Sequence, residues 1–171
     1  GFGGQGVMSI GKNLVEAGVE EDLQVSWVPS YGPEMRGGTA NCTVILSDER
    51  IGSPLVEYPS EVVVMNRAAL AKFGPHVQKG GIMFINSSIV PDKVDRDDVK
   101  VYYVPCDDIA RELGNPKVSN MVMLGAYVAA TKVLKVETIE NMIHEMFTGK
   151  KAKLVPLNME ALKRGIACVE G

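Results

Sequence analysis

The spacing of apolar positions changes several times along the chain, and each change marks an element. Over residues 7–18, Ile10, Leu14, Val15 and Ala17 fall close to helical spacing, and Gly18 supplies a stop. Residues 23–28 form a short β-branched run bounded by acids and Pro29, which predicts a strand. Residues 39–47 alternate through Cys42, Val44 and Leu46 and predict another. The brief continuous apolar runs 61–65 and 81–86 fit strands covered on both faces, and 99–104 predicts a further strand. Between the first two of these runs, residues 68–77 predict a short helix interrupted at Gly74-Pro75.

Beyond Pro105 the pattern turns helical, with helices expected over 107–113, 119–134, 136–147 and 158–169. Ser119 is the expected N-cap of the second. That segment is apolar nearly all round, so it should lie buried on the sheet or on another subunit, with Gly125, Ala126, Ala129 and Ala130 admitting a close neighbour. Strands alternating with helices, followed by a helical tail, imply an α/β fold: a mainly parallel sheet with helices on both faces, a Rossmann-like three-layer sandwich with a helical C-terminal part.

Length and charge narrow the classes. The 171 residues suit a single domain, 1–171. Eighteen Lys and Arg against 21 Asp and Glu leave a net charge of −3, so no global basic field favours nucleic acid or an anionic membrane. The apolar run 121–130 is too short to span a bilayer, which takes about 20 residues. Cys42, Cys106 and Cys168 are isolated, so no zinc ribbon, disulfide framework or iron–sulfur cluster is expected within the chain, and reduced buried thiols in a cytoplasmic protein are the reading. No metal site is expected. His144 is expected to be structural, on a helix among apolar residues. No GxSxG, HExxH, paired-carboxylate or GDG…NN motif appears, so the chain is poorly equipped as an isolated catalyst.

Candidate chemistry gathers at glycines. Residues 1–6, GFGGQG, satisfy GxGxxG and lead straight into the first helix, so backbone N–H groups and a helix N-terminus are offered to a phosphate or pyrophosphate. A strand normally precedes such a loop, and about five further apolar residues are expected upstream of Gly1. For NAD the acid that should end the second strand is missing, since Val28-Pro29-Ser30-Tyr31 stands there. Gly6-x4-Gly11-Lys12 matches the start of a Walker loop, but Asn13 replaces the Mg²⁺-binding Ser or Thr, which argues against ATP hydrolysis. Lys12 either brings an ammonium near a phosphate or faces water. Residues 30–38, SYGPEMRGG, follow a strand and place Glu34 and Arg36 beside special turns. In a parallel sheet they belong at the ligand-binding edge, with Asn66 and Asn86-Ser87-Ser88, which also end strands.

Taken together, GFGGQG with Lys12, SYGPEMRGGTANCTV (30–44), NSS (86–88) and ELGN…VSNMVMLGA (112–126) resemble the gamma subunit of the 2-oxoacid:acceptor (ferredoxin) oxidoreductases, over roughly residues 1–134. The resemblance implies a subunit of a cytoplasmic, heteromeric enzyme of anaerobic metabolism, inactive alone, that oxidatively decarboxylates a 2-oxoacid to an acyl-CoA, with 2-oxoglutarate ahead of pyruvate and branched-chain acids. It implies coenzyme A as cosubstrate, with thiamine diphosphate, Mg²⁺ and iron–sulfur clusters in partners only. The implied partners are alpha and beta subunits, a ferredoxin-like delta subunit, and ferredoxin as electron acceptor. It places Gly3, Gly4, Gln5 and Gly6 against coenzyme A phosphates, with Lys12, Asn86 and Ser87 in support, and Tyr31, Gly32, Pro33, Glu34 and Arg36 on a loop facing the partners' active site. The alternatives are a free-standing NAD(P)-binding Rossmann oxidoreductase and a structural subunit without ligand. The apolar 119–134 helix also predicts self-association of the isolated chain.

Overall fold

The computed structural model describes residues 1–32 and 38–170. Three strands, β3 (Glu61–Val64), β4 (Ile82–Asn86) and β5 (Lys100–Val104), form a parallel sheet in the order β3-β4-β5. Because side chains alternate across a strand, this sheet has two apolar faces. Val63, Phe84 and Val104 face the larger core, which holds helices α1 (Val7–Glu20), α3 (Cys106–Glu112), α4 (Ser119–Thr131), α5 (Val136–Met146) and α6 (Val155–Ala167). Phe84 lies 5.4 Å from the ring of Tyr102 and 5.3 Å from that of Tyr127 in this core. Val62, Val64 and Ile85 face the other way, towards α2 (Arg67–Phe73). Helices thus cover both faces, as the pattern predicts.

The first two strands depart from expectation. β1 (Gln24–Tyr31) and β2 (Ala40–Ser47) pair with each other antiparallel, as a ribbon separate from the parallel sheet. The connection between them is too short for the crossover that a parallel pair requires, so a hairpin-like return is the only geometry open. Pro29 is tolerated because β1 is an edge strand. The ribbon lies on α1 through two glycines: a Cβ on Gly18 would come within 2.8 Å of Val25 and 2.9 Å of Leu46, and one on Gly11 would meet Trp27 at 3.1 Å and overlap the Cys42 sulfur. Gly11 therefore serves helix–ribbon packing and not a Walker loop.

The apolar segment over 119–131 is buried within the chain, between the sheet and α6, and Gly125 and Gly165 are the points of closest approach. Its apolar surface is used internally, so this helix does not supply the face on which the expected self-association rested. Ser119 is not the N-cap: a single 3₁₀ turn over Pro116–Val118, itself capped by the Asn115 side chain, runs directly into α4, so Val118 takes the cap position and Ser119 the first helical one. His144 is exposed on α5, not packed among apolar neighbours. Of the three thiols, all free, only Cys106 is fully buried, and burial pushes its pKa well up. The loop after β4 is held by Arg96, which pairs with Asp98 at 2.7 Å and donates to the carbonyls of Gly74 and Val77.

Candidate functional site

The glycine loop sits at the C-terminal edge of the parallel sheet, held there by one side chain. Gln5 accepts from the Phe2 amide at 2.6 Å and donates through Nε2 to the Met65 carbonyl at 2.9 Å, immediately past β3. Its backbone N–H reaches Phe2 O as well. The Gln5 side chain and backbone N–H are thus both engaged in shaping the loop, which the sequence expected to lie against coenzyme A phosphates. Gly3 is likewise engaged, its N–H donating to Gly38 O at 2.9 Å.

What the loop does leave open lies further along. Gly4 and Gly6 take left-handed φ values of 94° and 79°, which only glycine adopts cheaply. Gly6 is the N-cap of α1 and no side chain caps that helix. Among the described residues, the amides of Gly4, Gly6, Val7 and Met8 have no acceptor. Free N–H groups and the positive end of a 14-residue helix thus converge on one spot.

A second helix starts against the same spot. A Cβ on Gly6 would fall 2.7–2.8 Å from the side chain of Asn120, at the start of α4. Asn120 carries two N–H donors and stands directly over the loop, yet the sequence reading gave it no role. Its signal was the small residue at position 6, which implies something close by.

The other expected residues are distributed as follows. Lys12 is exposed on α1, five residues past its first residue, which puts its Cα about 8 Å along the axis from that end. Asn86 ends β4 fully buried. Its Nδ2 donates to Asp107 Oδ2 at 2.6 Å, and its Oδ1 has no partner among the described residues. Ser87 donates its N–H to Val104 O, and Ser88 Oγ accepts from Asp108 N. Met65 and Asn86 share the face that looks towards α1 and α4, since Val64 pairs with Ile85 one step earlier.

Tyr31 and Gly32 form the neck of the second glycine segment, closed by Gly32 N to Thr39 O at 2.6 Å, and Tyr31 is 69% exposed. Pro33, Glu34 and Arg36 lie outside the described residues. The two glycine motifs meet: Phe2 bridges to Thr39 beside the bond between Gly3 and Gly38. Cys42 lies under the first turn of α1, its thiol donating to Val7 O at 3.8 Å. Burial raises its pKa, so it stays a thiol and not a nucleophile at neutral pH. Among the described residues no group of three His, Cys, Asp or Glu side chains could hold a metal ion.

A parallel sheet with a glycine loop and an uncapped helix at its C-terminal edge defines an α/β domain that presents free backbone N–H groups at that edge. The chain belongs to the pyruvate ferredoxin/flavodoxin oxidoreductase family, whose model matches residues 1–168. It is 38% identical over 166 residues to the ketoisovalerate oxidoreductase subunit VorA of Methanothermobacter marburgensis, covering 96% of this chain but only 34% of that protein. The chain thus spans about a third of the length of the VorA relatives it matches. It is 36% identical to the 2-oxoglutarate synthase subunit KorC of Methanocaldococcus jannaschii, covering 84% of this chain and 78% of the relative. Among solved structures, the keto/oxoacid ferredoxin oxidoreductase gamma subunit from Geobacter sulfurreducens superposes with a TM-score of 0.82 at 28% identity, over 99% of this chain and 95% of that one. A 2-oxoglutarate:ferredoxin oxidoreductase from Magnetococcus marinus, solved with 2-oxoglutarate, coenzyme A and succinyl-CoA, shares the fold at a TM-score of 0.89 and 23% identity, over 98% of this chain and 29% of its own.

Proposed function

We propose that this chain is the gamma-type component of a coenzyme A-dependent 2-oxoacid:ferredoxin oxidoreductase, and that its glycine loop holds the coenzyme A pyrophosphate. The observation that carries the reading is the set of free amides at Gly4, Gly6, Val7 and Met8, under the uncapped start of α1. A pyrophosphate is a strong multiple acceptor of the kind such a nest of N–H groups binds. Asn120 adds a donor from above. Lys12 adds charge from one turn further on, whereas Asn86, whose Nδ2 is taken by Asp107, offers only an acceptor oxygen and no donor to a phosphate. The Magnetococcus enzyme, of the same fold, was solved with coenzyme A, which is consistent with that cosubstrate.

Thiamine diphosphate, Mg²⁺ and iron–sulfur clusters belong, in this reading, to alpha, beta and delta partners in the cytoplasm. In the same reading Tyr31 and Gly32 open the segment that faces the thiamine site. No described helix is long and apolar enough to cross a membrane. The substrate is a 2-oxoacid, with 2-oxoglutarate put first, because among the relatives spanned over more than two thirds of their length KorC, at 36% identity, is more similar to this chain than the pyruvate synthase subunit PorC at 33%.

The test is Gly4→Ala in the purified complex. A Cβ at Gly4 meets nothing within 4 Å, so the fold tolerates it, but the left-handed φ is strained and the amides re-aim. The KM for coenzyme A should rise about tenfold, from the loss of a charge-assisted hydrogen bond, with kcat little changed. An unchanged KM supports the ligand-free structural subunit instead. Saturable binding of NAD(H) that coenzyme A does not displace supports the dinucleotide reading.

A further inference from the structure

The outer edge of β1 is an open row of backbone groups, and the register fixes which ones point there. Gly32 N–H donates to Thr39 O, so these two residues are a hydrogen-bonded pair, and Tyr31 and Ala40, one step earlier, are not. The N–H and C=O of Ala40 point away from β1 instead, to Gly1, at 2.8 and 3.0 Å. By the same alternation the backbone groups of Tyr31, Pro29, Trp27 and Val25 point away from β2, on the opposite side of the ribbon from Gly1. Among the described residues these outward groups have no partner. Pro29 supplies a C=O to the row but no N–H.

The side chains leave that edge unguarded. Gln24–Tyr31 carries no charge in 8 residues, and Trp27 and Val28 are 37% and 38% exposed. Edge strands that face water are ordinarily blunted by Lys, by inward charges or by a covering segment, and here only Pro29 interrupts the row. An uncharged edge flanked by exposed apolar side chains suits an added strand, which takes its affinity from the backbone and its specificity from alternate side chains. A second copy of this chain fits poorly, because its own Pro29 would enter the same ladder and leave twice as many groups unpaired. A proline-free segment of another chain loses one bond only. β1 also runs straight into the neck at Tyr31 and Gly32, which opens the segment that faces the partner's site in the gamma-type reading. In VorA the matching residues form about a third of one longer polypeptide, so that relative carries this domain beside further protein. We infer that the outer edge of β1 takes an extended segment of the thiamine-bearing partner as an added strand, through the backbone of Val25, Trp27 and Tyr31. The inference rests on the gamma-type reading and deepens it.

The test compares amide hydrogen exchange in the purified complex with that in the full chain alone, resolved to single residues by mass spectrometry. The Val25 and Trp27 amides should exchange at least about tenfold more slowly in the complex. Val25→Pro removes one outward donor without touching the ladder to β2, as Pro29 does already, and Val28→Lys puts a charge on the exposed strand. Each should weaken association with the partner at least about tenfold, read from the concentration at which the complex dissociates on gel filtration. Circular dichroism shows whether each variant has folded, and Val28→Lys carries the test by itself if Val25→Pro has not. A complex that turns over 2-oxoacid while Val25 and Trp27 exchange as fast as in the chain alone overturns the strand addition and leaves the gamma-type reading intact. Association unchanged in the folded variants does the same. Protection that grows with the concentration of the isolated chain assigns the edge to a second copy and also overturns it. A chain that purifies with no thiamine-bearing partner overturns both.

Discussion

Replacing Gly165 by alanine puts the tightest joint of the molecule under load. A Cβ there falls on the carbonyl oxygen of Val122 across the α4–α6 crossing, 2.7 Å from the carbonyl carbon and 3.1 Å from the Ala126 nitrogen. These are backbone atoms of a helix whose Val122 and Ala126 are fully buried, so no rotamer change relieves the overlap. The helices must part instead. Overpacking of a well-filled core costs about 1–3 kcal/mol and more when backbone must move, so about 3–4 kcal/mol is expected here. Alanine recovers about 1 kcal/mol of helix propensity. The net loss of about 2–3 kcal/mol corresponds to a fall in Tm of about 4–12 °C for a chain of this size. Thermal and urea unfolding followed by circular dichroism measure it, with Gly125→Ala, whose Cβ would meet the Leu162 carbonyl, as the reciprocal test. A Tm that stays level or rises for both variants would show propensity winning over contact and refute the close crossing. Because α4 also carries Asn120 to the glycine loop, the same parting should loosen the loop, visible as faster amide exchange at Gly4 and Gly6.

Three further outcomes follow from the same geometry. Gln5→Glu keeps the acceptor for Phe2 but sets an oxygen against the Met65 carbonyl, so it should cost about 1–3 kcal/mol and speed exchange across residues 1–6. Asp98 has its pKa lowered, first by its hydrogen bond to Arg96, so its contribution is present above the unfolded carboxylate range and lost as pH falls through the folded value. Asp98→Asn should therefore flatten the acid limb of a stability–pH profile, and an acid limb identical to the wild type would refute the role. Native-state alkylation should spare Cys106 until the chain unfolds, since the residue is fully buried and its thiol pKa is well raised; mass spectrometry of partially labelled protein reads this directly.

The parallel core was legible because burial on both faces writes itself as continuous apolar runs, and the sequence boundaries of β3, β4 and β5 fall within a residue of the observed ones. The pairing of the ribbon was not legible, because alternation in residues 39–47 reports a half-buried strand without saying which neighbour it pairs with. Direction is decided by the length of the connection, not by the strand's own residues. At the site, the glycine loop was legible as backbone freedom, since only glycine tolerates the φ values of Gly4 and Gly6. The division of labour within it was not. That Gln5 would turn inward to Met65 and Asn120 would come down over Gly6 depends on contacts some 60 and 114 residues distant in sequence, which no local pattern encodes. Asn66 was visible as a polar residue ending a strand, and the structure uses it to cap α2 through Ala69 N.

The chain has one tryptophan, and it lies where α1 meets the ribbon, its indole nitrogen close to Gly11. Indole emission moves to longer wavelength as water reaches the ring, so Trp27 is a built-in optical gauge of that joint. It needs no label and has no second fluorophore of its kind to confuse it. The joint carries the start of α1, with its free amides, on one side and the neck at Tyr31 and Gly32 on the other. A colour change on adding ligand or partner would report the two glycine motifs moving relative to each other.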